Sequence, residues 1–195
     1  MKPESVPAGM RYISVALLFA LCGAWSAAMF LPLQHFPIGI VGPNDLYRVF
    51  PLPFAFLCTL LFMRTVRAFL IVPLMVAAWW ASILVAGRMW LPWAIGYDNP
   101  FGPACVGGMV GGLGVTLTAA IGKPRLLSPK YLVTSCALGA VSAVPLALWL
   151  RLSREPHALM WSFALWQAAM GTYLYAIWIA VSRKAHRGCA TEGDR

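Results

Sequence analysis

Four polar side chains outside the apolar runs are of the types used for metal binding or acid–base catalysis: His35, Asp45, Asp98 and His157. Imidazoles and carboxylates could together hold a metal ion or form a general acid–base pair. No two of them stand at a ligand spacing, and signatures such as HExxH are absent from the sequence. The sequence therefore predicts no catalytic residue, no metal site and no cofactor. It leaves these four side chains and Arg48 as candidates for contact with a solute.

One amide, Gln167, lies in the middle of an apolar run, and we include it among the solute-contact candidates. Membrane helices use such amides to hydrogen-bond to a neighbouring helix. No acidic or basic side chain lies in the middle of any apolar run. Proton pumps and intramembrane metalloproteases place ionisable groups at membrane depth, so this pattern argues against both classes. Trp79 and Trp80 are the bulkiest mid-run residues, and helical geometry prevents both rings from facing one cavity.

The composition indicates which medium surrounds these residues. Of 195 residues, 61% are hydrophobic and 11% are charged, whereas a soluble domain carries about 25% charged residues. A chain this size cannot hide that apolar excess in one water-soluble core. The formal charge of +9 comes from basic residues that stand singly between apolar runs, which is typical of membrane topology signals. We expect the lipid bilayer as partner and no binding to nucleic acid.

Charge-free stretches define the elements that must position the candidate residues. A helix needs about 20 apolar residues to cross the hydrocarbon. The sequence predicts an all-α integral membrane protein, residues 1–195 forming one domain, folded as a compact bundle of six transmembrane helices. The predicted spans are 12–32, 46–63, 68–87, 104–122, 131–150 and 158–182. The second is the weakest, because Pro51 and Pro53 interrupt its outer end.

The distribution of basic residues predicts the orientation of these spans. With the amino terminus inside, eleven basic residues fall in the inner segments: Lys2, Arg11, Arg64, Arg67, Lys123, Arg125, Lys130, Arg183, Lys184, Arg187 and Arg195. Four fall in the outer loops: Arg48, Arg88, Arg151 and Arg154. The positive-inside rule therefore favours cytoplasmic termini, N-in/C-in, in a bacterial inner membrane. The first run exceeds the usual signal-peptide length, which favours an uncleaved anchor; cleavage after Ala28 would leave five spans.

Small residues recur every four positions in most spans. The clearest rows contain alanines on the first helix and glycines on the fourth and fifth: Ala16, Ala20, Ala24, Ala28, Gly107, Gly108, Gly111, Gly112 and Gly139. In lipid, helices associate through such rows because small residues let backbones approach closely. The rows predict tight packing inside the bundle. They could alternatively dock further membrane-protein subunits.

Three function classes are compatible with these features. Six helices, cytoplasmic termini and the alanine row of the first helix resemble, in general topology, the substrate-binding subunits of energy-coupling vitamin transporters. The resemblance implies a small-solute binding or transport component, and the apolar, proline-rich loop 33–53 would suit a cap over the bundle mouth. The first alternative is a membrane-complex assembly subunit. The second, less favoured, is an outer-leaflet lipid-modifying enzyme. In that enzyme, outer arginines would hold phosphates, with His35 or His157 as base.

Overall fold

The computed structural model describes residues 8–33, 52–62, 68–94, 100–152 and 156–192. Throughout these ranges the chain is helical apart from short turns, and no strand occurs in them. The all-α prediction is confirmed for this part of the protein. The helices are α1 Ala8–Leu33, α2 Leu52–Phe62, α3 Ala68–Ala94, α4 Phe101–Ala120, α5 Pro129–Ser142, α6 Val144–Leu152 and α7 Pro156–Glu192, with a 3₁₀ helix at Pro124–Leu127.

Four stretches of the described chain are long and apolar enough to cross a membrane: Gly9–Ser26, Phe101–Ala120, Pro129–Leu148 and Trp161–Arg183. Two shorter apolar helices, Leu52–Phe62 and Leu70–Ala86, accompany them. Within the described residues, the second helix comprises Leu52–Phe62. Residues 46–51 of the second predicted span lie outside the described residues.

Helices α3 and α7 extend furthest beyond the spans that the charge-free stretches predicted. Helix α3 continues past residue 87 to Ala94, and α7 continues past residue 182 to Glu192. Charge sets the limits of an apolar span, but it does not stop backbone hydrogen bonding once the chain reaches water. The end of the helix and the end of the charge-free stretch therefore differ at these two positions.

Helices α5 and α6 form one rod that is interrupted at Ala143. The N–H of Ala143 bonds to the carbonyl of Ala140 at 3.2 Å, three residues back, instead of making the α-helical four-residue bond. Pro145 explains the break, because it has no N–H for the carbonyl four residues earlier and its ring crowds the preceding turn. Leu146 and Ala147 both bond to the Ala143 carbonyl, and the helix resumes.

Helix α4 lies between α3 and α5 and touches both through glycines. Toward α5, a Cβ added at Gly108 would collide with the Gly139 carbonyl oxygen. One added at Gly112 would lie 2.5 Å from the Ser135 carbonyl oxygen. Toward α3, a Cβ on Gly114 would lie 2.5 Å from that of Ala78. These backbones are closer than any side chain at the glycine positions would allow, which is the packing mode of small residues in membranes.

Serine and threonine hydroxyl groups join the same three helices. Ser135 Oγ donates to the Gly112 carbonyl at 2.5 Å and lies 2.7 Å from the Thr116 hydroxyl. On the opposite side of α4, Ser82 Oγ donates to the Gly107 carbonyl at 2.5 Å. Interhelical bonds of this kind contribute about 0.6 kcal/mol each in membrane proteins. These hydrogen bonds fix the relative positions of helices that the glycines bring close together.

Helices α1 and α7 pair along much of their length. The Phe19 ring, fully buried, occupies the space over Gly171, where any Cβ would collide with it. One turn further along α1, Gly23 lies against the α7 backbone at Phe163 and Ala164. A bulky side chain opposite one glycine and a second glycine opposite backbone fix the register of the two helices. The pair places the middle of α7 against the rest of the bundle.

Candidate functional site

A small cavity lies in the interior of the bundle, where α7 meets α2, α3 and α4. We call it the Gln167 chamber, and its lining consists of Phe54, Met75, Trp79, Gly111, Val115, Trp166 and Gln167. None of these side chains is titratable, so the chamber carries no charge of its own. Its polar groups are the Gln167 carboxamide and the Trp79 and Trp166 indole N–H groups.

The Gln167 side chain is buried with an unfulfilled hydrogen-bonding requirement. Gln167 is 1% exposed, and its Oε1 has no hydrogen-bond partner among the described residues. Leaving a buried acceptor unpaired costs about 1–3 kcal/mol. The bond to a neighbouring helix that the sequence predicted for this amide is therefore not made through Oε1 in the described part of the bundle. A donor that enters the chamber would remove this cost.

Aromatic rings form the wall around the amide. The ring of Trp166 is 6.0 Å from that of Phe54 and 6.0 Å from that of Trp79, measured between centroids, and it meets Trp79 edge-on. Tilted and edge-on aromatic pairs at these separations are favourable by about 0.5–1.5 kcal/mol beyond their buried area. These ring contacts stabilise the aromatic part of the wall. Met75 also lines the chamber and has a flexible, polarizable side chain.

Gly111 allows the wall to close on α4. A Cβ at this position would lie 3.1 Å from Cζ2 of Trp166 and 3.3 Å from the Ser82 hydroxyl. Without a side chain there, the indole of Trp166 rests directly on the α4 backbone. The glycine row of α4 thus contributes to the chamber as well as to helix packing.

The open volume of the chamber is about 10 Å³. A site of roughly 10–15 Å³, measured for water-sized spheres, is what one water molecule needs. In the conformation described, the chamber therefore has room for about one water molecule beside the Gln167 amide. A larger guest requires movement of the lining, in which Met75 is the flexible side chain.

The other solute-contact candidates fall where the structure gives no side-chain description. His35, Asp45, Arg48 and Asp98 lie outside the described residues, and so do residues 34–51 of the predicted cap loop 33–53. His157 belongs to the first turn of α7, but its side chain lies outside the described part. Of the six candidates, Gln167 alone has a described environment. Within the described ranges, no group of three His, Cys, Asp or Glu side chains could hold a metal ion.

The predicted packing residues are distributed over three interfaces. Gly107, Gly108, Gly111, Gly112 and Gly139 are buried between α4 and its neighbours. On α1, the alanines at 16, 20 and 24 are half-buried, whereas Phe19 and Gly23 are buried in direct contact with α7. The Ala28 side chain lies outside the described part. The α1 alanine row therefore flanks the α7 contact and does not form its centre.

Sequence reasoning selected Gln167 and the Trp79–Trp80 pair but missed Phe54, Met75, Val115 and Trp166. All four are apolar residues in apolar helices, so hydropathy gives them the same weight as residues that face lipid. Two features of the sequence could have indicated part of the chamber. Trp166 is adjacent to Gln167, and Gly111 belongs to the four-residue glycine row of α4. Helical contacts across the bundle, which one sequence does not encode as spacing, bring these residues together.

Comparison with known protein families, curated proteins and solved structures finds no match to this chain.

Proposed function

We propose that this chain is a multi-pass protein of a bacterial inner membrane, with six spans and both termini in the cytoplasm, that binds a small solute as part of a transport system. The proposal depends on one observation. The carboxamide oxygen of Gln167 is buried without a hydrogen-bond partner among the described residues, and Gln167 lines an aromatic chamber between α2, α3, α4 and α7. Buried polar groups in native proteins are nearly always paired, so an exception at a cavity favours a ligand-binding role.

The outer surface of α1 supports membrane insertion. Its residues Ile13, Leu17, Leu21 and Trp25 recur every four positions and are 62%, 59%, 66% and 64% exposed. Spacing of this kind forms one continuous apolar face along the helix. In water, such a face would be an aggregation surface, whereas in a bilayer it contacts acyl chains. The same argument applies to Val133 and Val141 of α5, which are both 68% exposed.

The chamber suits a neutral solute that offers an N–H or O–H donor. Gln167 Oε1 supplies the acceptor, and the rings of Phe54, Trp79 and Trp166 supply apolar contact. A charged solute would enter an uncharged, water-poor site without a counter-ion, which costs several kcal/mol. The small volume favours a solute of a few heavy atoms, admitted as Met75 changes rotamer. Alcohols and small amides have this chemistry.

Native mass spectrometry of the purified protein tests the proposal. The wild-type chain, extracted in a mild neutral detergent, is expected to carry a small neutral molecule, and proteoliposomes of it are expected to accelerate equilibration of the probes glycerol or urea. Replacing the amide by an isosteric thioether, Gln167→Met, removes the acceptor and should abolish both signals. Leu165→Met is the matched control, because Leu165 is 53% exposed on the same helix.

The alternatives predict different outcomes from the same material. An assembly subunit would co-purify with a stoichiometric protein partner and carry no solute, and Gln167→Met would leave that partner bound. A lipid-modifying enzyme would lose its activity on replacement of His35 or His157 by alanine and would be unaffected by Gln167→Met. Absence of bound solute and of probe flux from the wild-type protein would refute the binding proposal.

A further inference from the structure

One end of the described bundle is strongly basic. Lys123, Arg125 and Lys130 lie in and beside the turn between α4 and α5, and Arg183 lies near the end of the last apolar stretch of α7. Arg125, Lys130 and Arg183 are exposed. Residues 100–152 and 161–183 contain no aspartate or glutamate. Within these ranges, no carboxylate neutralises the four cations.

Lys123 ties the turn to α7 and so brings the cations together. Its ammonium donates to the Trp178 carbonyl at 3.2 Å and to the Ser182 hydroxyl, and it lies 4.0 Å above the Trp178 ring. Partial burial lowers the pKa of Lys123, because desolvation disfavours the charged ammonium. These contacts offset that cost and place Arg183, the residue after Ser182, beside the turn. Lys123 is thus a positioning residue.

Bulky apolar side chains accompany the exposed cations. Leu127 is 49% exposed between Arg125 and Lys130, and Val133, one turn after Lys130, is 68% exposed. On the neighbouring end of α4, Leu117 is 43% exposed. A soluble phosphate compound would gain nothing from these apolar surfaces. A phospholipid presents a phosphate joined to acyl chains, which matches cations above exposed leucine and valine.

We propose that the turn between α4 and α5 binds an anionic phospholipid, with Arg125 and Lys130 in contact with the headgroup phosphate and Leu127 and Val133 in contact with its acyl chains. This inference rests on the proposed membrane insertion but not on solute binding at Gln167. Arginine suits phosphate because its planar guanidinium can donate two parallel hydrogen bonds. Each basic side chain near a lipid surface adds about a fivefold increase in affinity for anionic lipid.

Lipid titration of the full-length protein in neutral detergent, followed by native mass spectrometry, tests the site. The probes are phosphatidylglycerol and, as the uncharged comparison, phosphatidylcholine of the same acyl chains. We expect a clear preference for phosphatidylglycerol, and a fall of about thirtyfold in its affinity in the double variant Arg125→Gln/Lys130→Gln. Arg151→Gln is the control, because this exposed arginine lies at the other end of the α5–α6 rod, about 30 Å away.

Three results would overturn the proposal. Equal affinity for the two lipids would show that charge is not recognised, and an equal loss in Arg151→Gln would show a general surface effect. Displacement of phosphatidylglycerol by soluble glycerol 3-phosphate at the same concentration would show a phosphate site indifferent to acyl chains. Elution volume and solute binding of each variant separate misfolding from loss of the lipid site, and they leave the Gln167 proposal independently testable.

Discussion

At the scale of single residues, Gln167 is a polar group retained at the expense of stability. Its carboxamide oxygen is enclosed by aromatic and aliphatic side chains without a hydrogen-bond partner in the described bundle. An apolar side chain of the same length would fill the position without that cost. Residues that lower stability beside a cavity are typical of binding sites, where contact with a ligand offsets the cost.

This reasoning predicts that Gln167→Met is at least as stable as the wild type. Removing an unpaired acceptor while conserving volume should raise the free energy of unfolding by about 1 kcal/mol or leave it unchanged. Thermal unfolding in detergent, followed through tryptophan fluorescence, measures the difference. A loss of 2 kcal/mol or more would show that the amide makes structural bonds, and its role in solute binding would then lack support.

At the scale of helices, α4 is the central element because two of its faces are backbone. Gly108 and Gly112 meet α5, while Gly107 and Gly114 meet α3. In the proposed bilayer setting, helices gain little from apolar burial against each other, so close van der Waals contact is the main source of stability for the bundle. Any side chain that separates α4 from a neighbour therefore weakens the whole assembly.

A pair of glycine substitutions on α4 tests this account. Gly108→Ala places a Cβ against the Gly139 carbonyl oxygen, whereas Gly102→Ala on the same helix meets nothing within 4 Å. Overpacking costs about 1–3 kcal/mol, so Gly108→Ala should lower the unfolding temperature clearly. Gly102→Ala should leave it unchanged or raise it slightly, since alanine favours helix. Equal effects of the two variants would contradict the packing scheme.

The sequence predicted part of this arrangement, for identifiable reasons. Four-residue glycine spacing predicted close packing along α4, but rows 107/111 and 108/112 have the same spacing, so the neighbour of each row could not be assigned. Pro145 is the sequence signal for the break at Ala143, because proline lacks the N–H that a continuous helix needs. The partners of Gln167 could not be predicted, because Phe54, Met75 and Trp166 look like lipid-facing residues until the helices are placed.

At the scale of the whole molecule, one end of the described bundle is basic and aromatic. The end at the α4–α5 turn carries Lys123, Arg125 and Lys130, together with Tyr173, whose hydroxyl donates to the Tyr131 carbonyl at 2.8 Å. Basic and aromatic residues together are typical of the cytoplasmic membrane interface. The proposed orientation therefore places this turn inside the cell, and the far end of α6, with Arg151, outside.

Labelling of single cysteines tests this central claim most directly. In a variant with the five native cysteines replaced by alanine, Pro124→Cys and Arg151→Cys each introduce one thiol at an exposed position, at opposite ends of the bundle. With a membrane-impermeant maleimide on intact spheroplasts, we expect Arg151→Cys to be labelled at once and Pro124→Cys only after the membrane is opened. Labelling of Pro124→Cys in intact spheroplasts, or recovery of the protein in the soluble fraction without detergent, would contradict the account.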